Sequence, residues 1–77
     1  MGTMVYKTHV ITADANWDED SGKYASIVRI VWQEINGNRA VHSFTLPKQY
    51  ATFDEAYAIA FEAAKAWTDR RITHLGP

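Results

Sequence analysis

Few residues of this chain have the type and spacing that chemistry requires. His9 and His42 invite an acid–base or metal role, yet neither has a second histidine or a carboxylate at ligand spacing. Asp14, Asn16, Asp18, Glu19 and Asp20 place oxygen donors at near-alternate positions, as a hard-cation loop would. An EF-hand loop counted from Asp14 needs glycine sixth and a bidentate glutamate twelfth, and those places hold Glu19 and Ala25. A solvated loop is therefore expected, with no metal site. The chain has no cysteine, which removes disulfides, thiolate nucleophiles and cysteine-held zinc. No glycine-rich phosphate loop, nucleophile elbow or paired-acid pattern occurs. The sequence reads as non-enzymatic, without cofactor or metal.

What remains is a surface. Lys7, His9, Arg29, Gln33, Arg39, Val41 and Ser43 are expected to share the outward face of a sheet, joined by Thr45, Ile27 and Val31. Arginines on such a face can read guanine edges while hydroxyls meet phosphates. Exposed β-branched residues in a group suit a protein contact or a homodimer equally well, and an ordinary solvated sheet face is the plainer alternative. Charge decides the order of these readings. Eight basic against nine acidic side chains leave a net charge of −1, the wrong balance for affinity built on neutralising many phosphates. A protein partner or a second copy is favoured, with nucleic acid held by Arg29 and Arg39 as the alternative. The unpaired edge of the first or third strand is also open to strand addition.

These residues need elements to hold them. At 77 residues the chain is one domain, near the lower size at which a hydrophobic core suffices. The most legible segment is a helix over residues 52–71, opened by a capping box at Thr52 and Glu55. Its apolar sector is Phe53, Ala56, Tyr57, Ala60, Ala63, Ala64 and Trp67, and Arg70 and Arg71 meet the negative end of its dipole. Three strands are expected before it, over residues 5–13, 23–35 and 39–46, the last stopped by Pro47. In the first, Tyr6, Thr8, Val10 and Thr12 share one face and Val5, Lys7, His9 and Ile11 the other.

Residues 14–22 are expected as a loop, with Trp17 folded back over the sheet edge. Asn36-Gly37-Asn38 signals a hairpin, and a three-residue loop there pairs Trp32 with His42, Ile30 with Phe44 and Val28 with Leu46. The core face is then Tyr24, Val28, Ile30, Trp32, Ala40, Phe44 and Leu46, with His42 packed on the same side. The fold class is α+β, of order β-β-β-α, with the domain over residues 4–72. Residues 1–3 are read as a cloning remnant and residues 73–77 as a flexible tail. A small cysteine-free domain with no apolar run of membrane-spanning length is expected in the cytoplasm.

The aromatic strand at Phe44, the Thr52-capped helix and the tryptophan near its end resemble small uncharacterised proteins of Gram-negative bacteria. That resemblance implies a bacterial source and carries no activity. The order of strands and closing helix is similar to the C-terminal part of double-stranded RNA-binding domains and to small sheet modules at the N-termini of some integrases. The RNA-binding domains begin their last helix with a lysine cluster and alanines, where this chain has Phe53-Asp54-Glu55-Ala56.

Overall fold

Alanine is the best helix former and the smallest side chain with a β-carbon, so an alanine every fourth residue makes a stable helix with one flat stripe. Ala56, Ala60, Ala64 and Thr68 form that stripe, and all four are fully buried. The computed structural model describes residues 2–75 and places the stripe against an antiparallel sheet. The elements are β1 (Gly2–Tyr6), β2 (His9–Asp18), β3 (Lys23–Gln33), β4 (Arg39–Tyr50) and α1 (Phe53–Leu75). The strands form a meander in the order β1-β2-β3-β4.

After β4 the chain turns at Ala51 and Thr52 and α1 runs back over β2 and β3, meeting β4 much less. Thr52 Oγ1 accepts the Glu55 amide at 3.2 Å, which is the expected N-cap. Asp54 and Glu55 in the first turn complement the helix dipole. Beneath the stripe lie Ile11, Ala13, Val28 and Ile30, all fully buried, with Ala15 nearly so. Ser26, also fully buried, donates its hydroxyl to the Ala56 carbonyl at 2.7 Å, so the helix start is tied to β3 by a satisfied polar contact. Thr68 returns its own hydroxyl to the Ala64 carbonyl at 2.9 Å.

The fold class is α+β as expected, but there are four strands rather than three. The expected strand over residues 5–13 is broken at Lys7 and Thr8, whose φ values of 47° and 66° make a two-residue turn between Tyr6 and His9. Residues of this type rarely sit at positive φ, so nothing in the composition signals the turn. The break reverses the face of every residue after it relative to those before. Met4 and Tyr6 join His9, Ile11, Ala13 and Ala15 on the helix side, while Val5, Val10 and Thr12 face away. Gly2 and Thr3, expected to precede the domain, pair with Ala13 and Thr12. A β-carbon on Gly2 would overlap the Tyr57 hydroxyl, so this glycine permits a close approach of strand and helix.

The expected loop over residues 14–22 shrinks to Glu19–Gly22 because β2 continues to Asp18. Trp17 is 54% exposed, touching Tyr24 edge-on at 5.0 Å rather than folding into the core. At the other hairpin the loop is three residues long, as expected, but set one residue earlier: Glu34 pairs with Asn38 and Gly37 takes the left-handed place at φ 88°. The register therefore joins Trp32 to Ala40, Ile30 to His42 and Val28 to Phe44, correcting the expected pairs. A shift of one residue on each side preserves parity, so every member of the expected core face still points toward the helix. Ile35, expected to end a strand, stands fully exposed in the loop.

Pro47 does not stop β4. It lies where Leu46, Pro47 and Lys48 oppose Ser26 alone, between the pairs Ile27–Thr45 and Ala25–Gln49. A bulge on an edge strand leaves proline no ladder bond to donate, so the strand continues through it. The helix runs past residue 71 into the expected tail, to Leu75; residues 76–77 and Met1 lie outside the described residues.

The packing gives two stability tests. Leucine at Ala60 has no room against Ile11, Ala13 and Val28 and should cost about 1–3 kcal/mol; an unchanged melting curve would mean that the helix does not rest on this stripe. Conversely, Thr8→Gly removes a β-branched residue from the left-handed region and should stabilise by about 1 kcal/mol. A urea midpoint that rises at constant slope would bear this out, and a lower midpoint would refute it.

Candidate interaction surface

Because each hairpin sets its strands in register, the side of the sheet away from the helix is organised in rows. Val5 pairs with Val10, Val10 with Val31 and Val31 with Val41, so one valine from each strand stands in a line across the sheet. Val5, Val10 and Val41 are 70%, 38% and 50% exposed, and Val31 is half-buried between its neighbours. Directly opposed residues lie about 5 Å apart, which makes the row a continuous apolar ridge.

The neighbouring row is polar. Thr3, Thr12, Arg29 and Ser43 cross the sheet in the same way, and the two threonine hydroxyls meet at 3.3 Å. Beyond it Ile27 stands between Asp14 and Thr45, and on the other side of the ridge Gln33 pairs with Arg39. Two shallow hollows border the ridge. One of about 340 Å³ is lined by Thr3, Thr12, Asp14, Ile27, Arg29 and Val31. The second, about 380 Å³, lies between the turns and includes Thr8, Val10, Val31, Gln33 and Arg39. Gln33 donates to the Gly37 carbonyl at 3.3 Å and so is braced against the hairpin.

Of the residues expected on this face, Arg29, Gln33, Arg39, Val41 and Ser43 are together there, all exposed. Lys7 and His9 are not, and the turn at Lys7-Thr8 is the reason. His9 is only 5% exposed on the helix side, its ring stacked on Trp32 at 5.4 Å. Its Nδ1–H donates to the Lys7 carbonyl at 2.9 Å. Lys7 reaches the helix instead and pairs with Asp69 at 2.7 Å. Val10, Thr3 and Thr12 stand on this face against expectation, whereas Val5 stands there in accord with the side expected for Lys7 and His9. One signal was available: Ile11, Ala13 and Ala15 alternate with Thr12, Asp14 and Asn16, which assigns the polar parity outward.

The oxygen donors of residues 14–20 do not converge. Asp14 and Asn16 are spread along β2, and Asp18 turns to other partners, accepting the Gln49 amide at 2.9 Å and the Asp20 N–H at 3.0 Å. Those two bonds hold the Asp18 carboxyl below its usual value. Among the described residues no group of three histidines or carboxylates is placed to hold a metal ion. His42 is stacked on Trp67 at 4.6 Å; it lines neither hollow of the outer face but a third, on the helix side.

No described helix is long and apolar enough to cross a membrane. Comparison of the chain with protein-family models, with curated proteins and with solved structures finds no match.

Asp69 anchors the turn that sorts the faces. The Lys7 ammonium and then the Tyr6 hydroxyl, at 3.0 Å, hold its carboxyl below 3.8, while Asp69 in turn raises Lys7 above 10.5. A depressed carboxylate adds stability above its unfolded value and loses it as pH falls through the folded one; a raised ammonium loses its share only in strong alkali. In acid titrations followed by thermal melting, Asp69→Asn should therefore lower the melting temperature at neutral pH and flatten its fall below about pH 4. Parallel curves for the two proteins would exclude this linkage.

Proposed function

We propose that this protein is a non-enzymatic interaction module that binds a protein partner, a second copy included, through the outer face of its sheet. The valine row carries this reading. A sheet face that met only water would have little reason to align four valines across four strands, because a polar residue at any of them would keep the pleat and raise solubility. Polar rows on both sides give the ridge the apolar centre and polar rim of a specific contact.

Its size sets the strength of the contact. Two rows cross four strands, the Ile27 row three and the Gln33–Arg39 row two, so at the usual spacings the face covers roughly 400 Å² per partner. The two surfaces together come to roughly 800 Å², the size of a weak, transient association. Arg29 and Arg39 supply direction, and two guanidiniums on a chain of net charge −1 are too few for a contact dominated by phosphates. His42 lines a separate hollow on the helix side, but its neighbours there, Phe44, Leu46, Ala63, Ala66, Trp67 and Arg70, include no carboxylate or hydroxyl to share a proton with it, which supports a binding role over a catalytic one. We take the cytoplasm as its compartment.

The test is an amide-resolved NMR titration in three arms: dilution of the protein itself, addition of fractionated cell protein, and addition of duplex DNA and RNA at low and high salt. The reading expects shifts at Val10, Thr12, Val31, Val41 and Ser43 in one of the protein arms. Val10→Glu and Val41→Glu should weaken them by tenfold or more (about 1.4 kcal/mol) with melting unchanged. Shifts seen only with nucleic acid and erased by salt would replace this reading with the nucleic-acid one. Shifts confined to the Glu19–Gly22 turn would end both.

A further inference from the structure

A sheet with two free edges is exposed to unwanted pairing, and proteins guard such edges by keeping them short, bulging them, or placing proline and lysine on them. β1 has five residues, Gly2–Tyr6. The far half of β4 carries the bulge with Pro47 and Lys48 at its centre. Between these devices lies one unguarded stretch. Residues 39–45 of β4 pair in unbroken register with residues 33–27 of β3, and their other side has no strand.

The same stretch is open on its helix side. Because α1 lies over β2 and β3, a hollow of about 320 Å³ remains between β4 and the helix. Its walls are His42, Phe44 and Leu46 below and Ala63, Ala66, Trp67 and Arg70 above. Tyr57 and Phe61 pack against the core on the helix, and Met4 and Tyr6 on β1, whereas the helix flank above β4 presents alanines to this hollow. The small side chains leave a space that the chain does not fill itself.

Charge decides what fills it. β4 contains Arg39 and Lys48 and no carboxylate, and Arg70 stands on the helix above. The acids around it are engaged: Asp18 with the Gln49 amide of β4 at 2.9 Å, Glu34 with Arg71 at 3.5 Å and Glu62 with Lys65 at 3.0 Å. Another copy's β4 would bring the same cations against this one. Its uncharged β1 would add head to tail and leave further edges open, a filament rather than a closed pair.

We propose that residues 39–45 accept an extended acidic peptide of another protein as a fifth strand. Its backbone continues the ladder of β4, and alternate side chains turn to the two faces. Apolar ones enter the hollow beside Phe44 and Trp67; on the opposite face carboxylates meet Arg39, while Arg70 and Lys48 add their positive field from the helix side. This contact shares Arg39 and the backbone of Val41 with the outer face, but it uses the edge of β4 and takes in neither Val10 nor Val31.

The test uses three synthetic octapeptides: one alternating acidic residues with leucine or valine, one with lysine at the acidic positions, and the acidic peptide N-methylated at two central amides. Each is titrated into the full chain up to about 1 mM. The acidic peptide should shift the amides of residues 39–45 and the Trp67 indole saturably. The lysine peptide should bind at least tenfold more weakly, and N-methylation should abolish binding. Ala66→Trp, which fills the hollow from an exposed position, and Arg70→Glu should each weaken the acidic peptide by tenfold or more, whereas Val10→Glu should leave it unchanged. No shift in residues 39–45, equal binding of the lysine peptide, or a site that moves to Val10 and Val31 would overturn the proposal. The outer-face reading would stand or fall on its own titration.

Discussion

The close approach of one helix to two central strands governs this molecule. Helix and sheet usually keep a distance set by the bulk of the side chains between them; here the line of contact is almost free of bulk. Ala56, Ala60, Ala64 and Thr68 meet Ala13, Ala15 and Ser26, with Ile11, Val28 and Ile30 filling the centre. A small domain buries a modest share of its surface, so close packing must supply what area does not. Within the seam the Ser26 and Thr68 hydroxyls are satisfied, whereas beside it His9 Nε2 and Arg71 Nε are buried without a hydrogen-bond partner.

Small residues at the seam require large ones beside it. Two chains of aromatic contacts flank the alanine stripe. One runs from Trp17 through Tyr24, Phe53 and Tyr57 to Phe61, with ring centres 5.0–5.9 Å apart. The other joins His9, Trp32, Trp67, His42 and Phe44, with the Arg71 guanidinium 4.3 Å from the Trp32 ring. His9 and His42 thus serve as flat packing surfaces in the second chain. The exposure of Trp17 follows from its place: it pairs with Tyr24 near the end of β2, beyond the reach of the helix stripe.

Local chemistry was legible wherever it acts through near neighbours. The Thr52 cap, the alanine stripe and the Asn36-Gly37 hairpin all depend on residues within one turn of each other, and all three appear where the sequence puts them or one residue away. The Lys7-Thr8 turn is of another kind. Its left-handed backbone is unfavourable for these residue types, and it is held by Tyr6 and Lys7 reaching Asp69, more than sixty positions along the chain. No window of sequence contains both ends of that contact, so the first hairpin was invisible and the face assignment of Lys7 and His9 went with it. Pro47 misled for a related reason, since its tolerance depends on lying in an edge strand, a property of the assembled sheet.

The outer valine row survives these errors because strand faces depend on parity rather than on exact register. Moving the second hairpin loop by one residue changed every β3–β4 pair and no face; the bulge adds two residues to β4 opposite Ser26 and again returns Tyr50 to the side of Tyr24. A one-residue bulge at the same place would have turned Gln49 toward the helix and Tyr50 toward water. Pairing errors of two residues are therefore cheap for this fold and those of one are costly, which is why Arg29, Gln33, Arg39, Val41 and Ser43 could be assembled correctly from a wrong register. Among the described residues the turn at Lys7-Thr8 is the single point where parity is reset without a glycine, and the alignment of Val5 with Val10, Val31 and Val41 rests on that reset being held by Asp69.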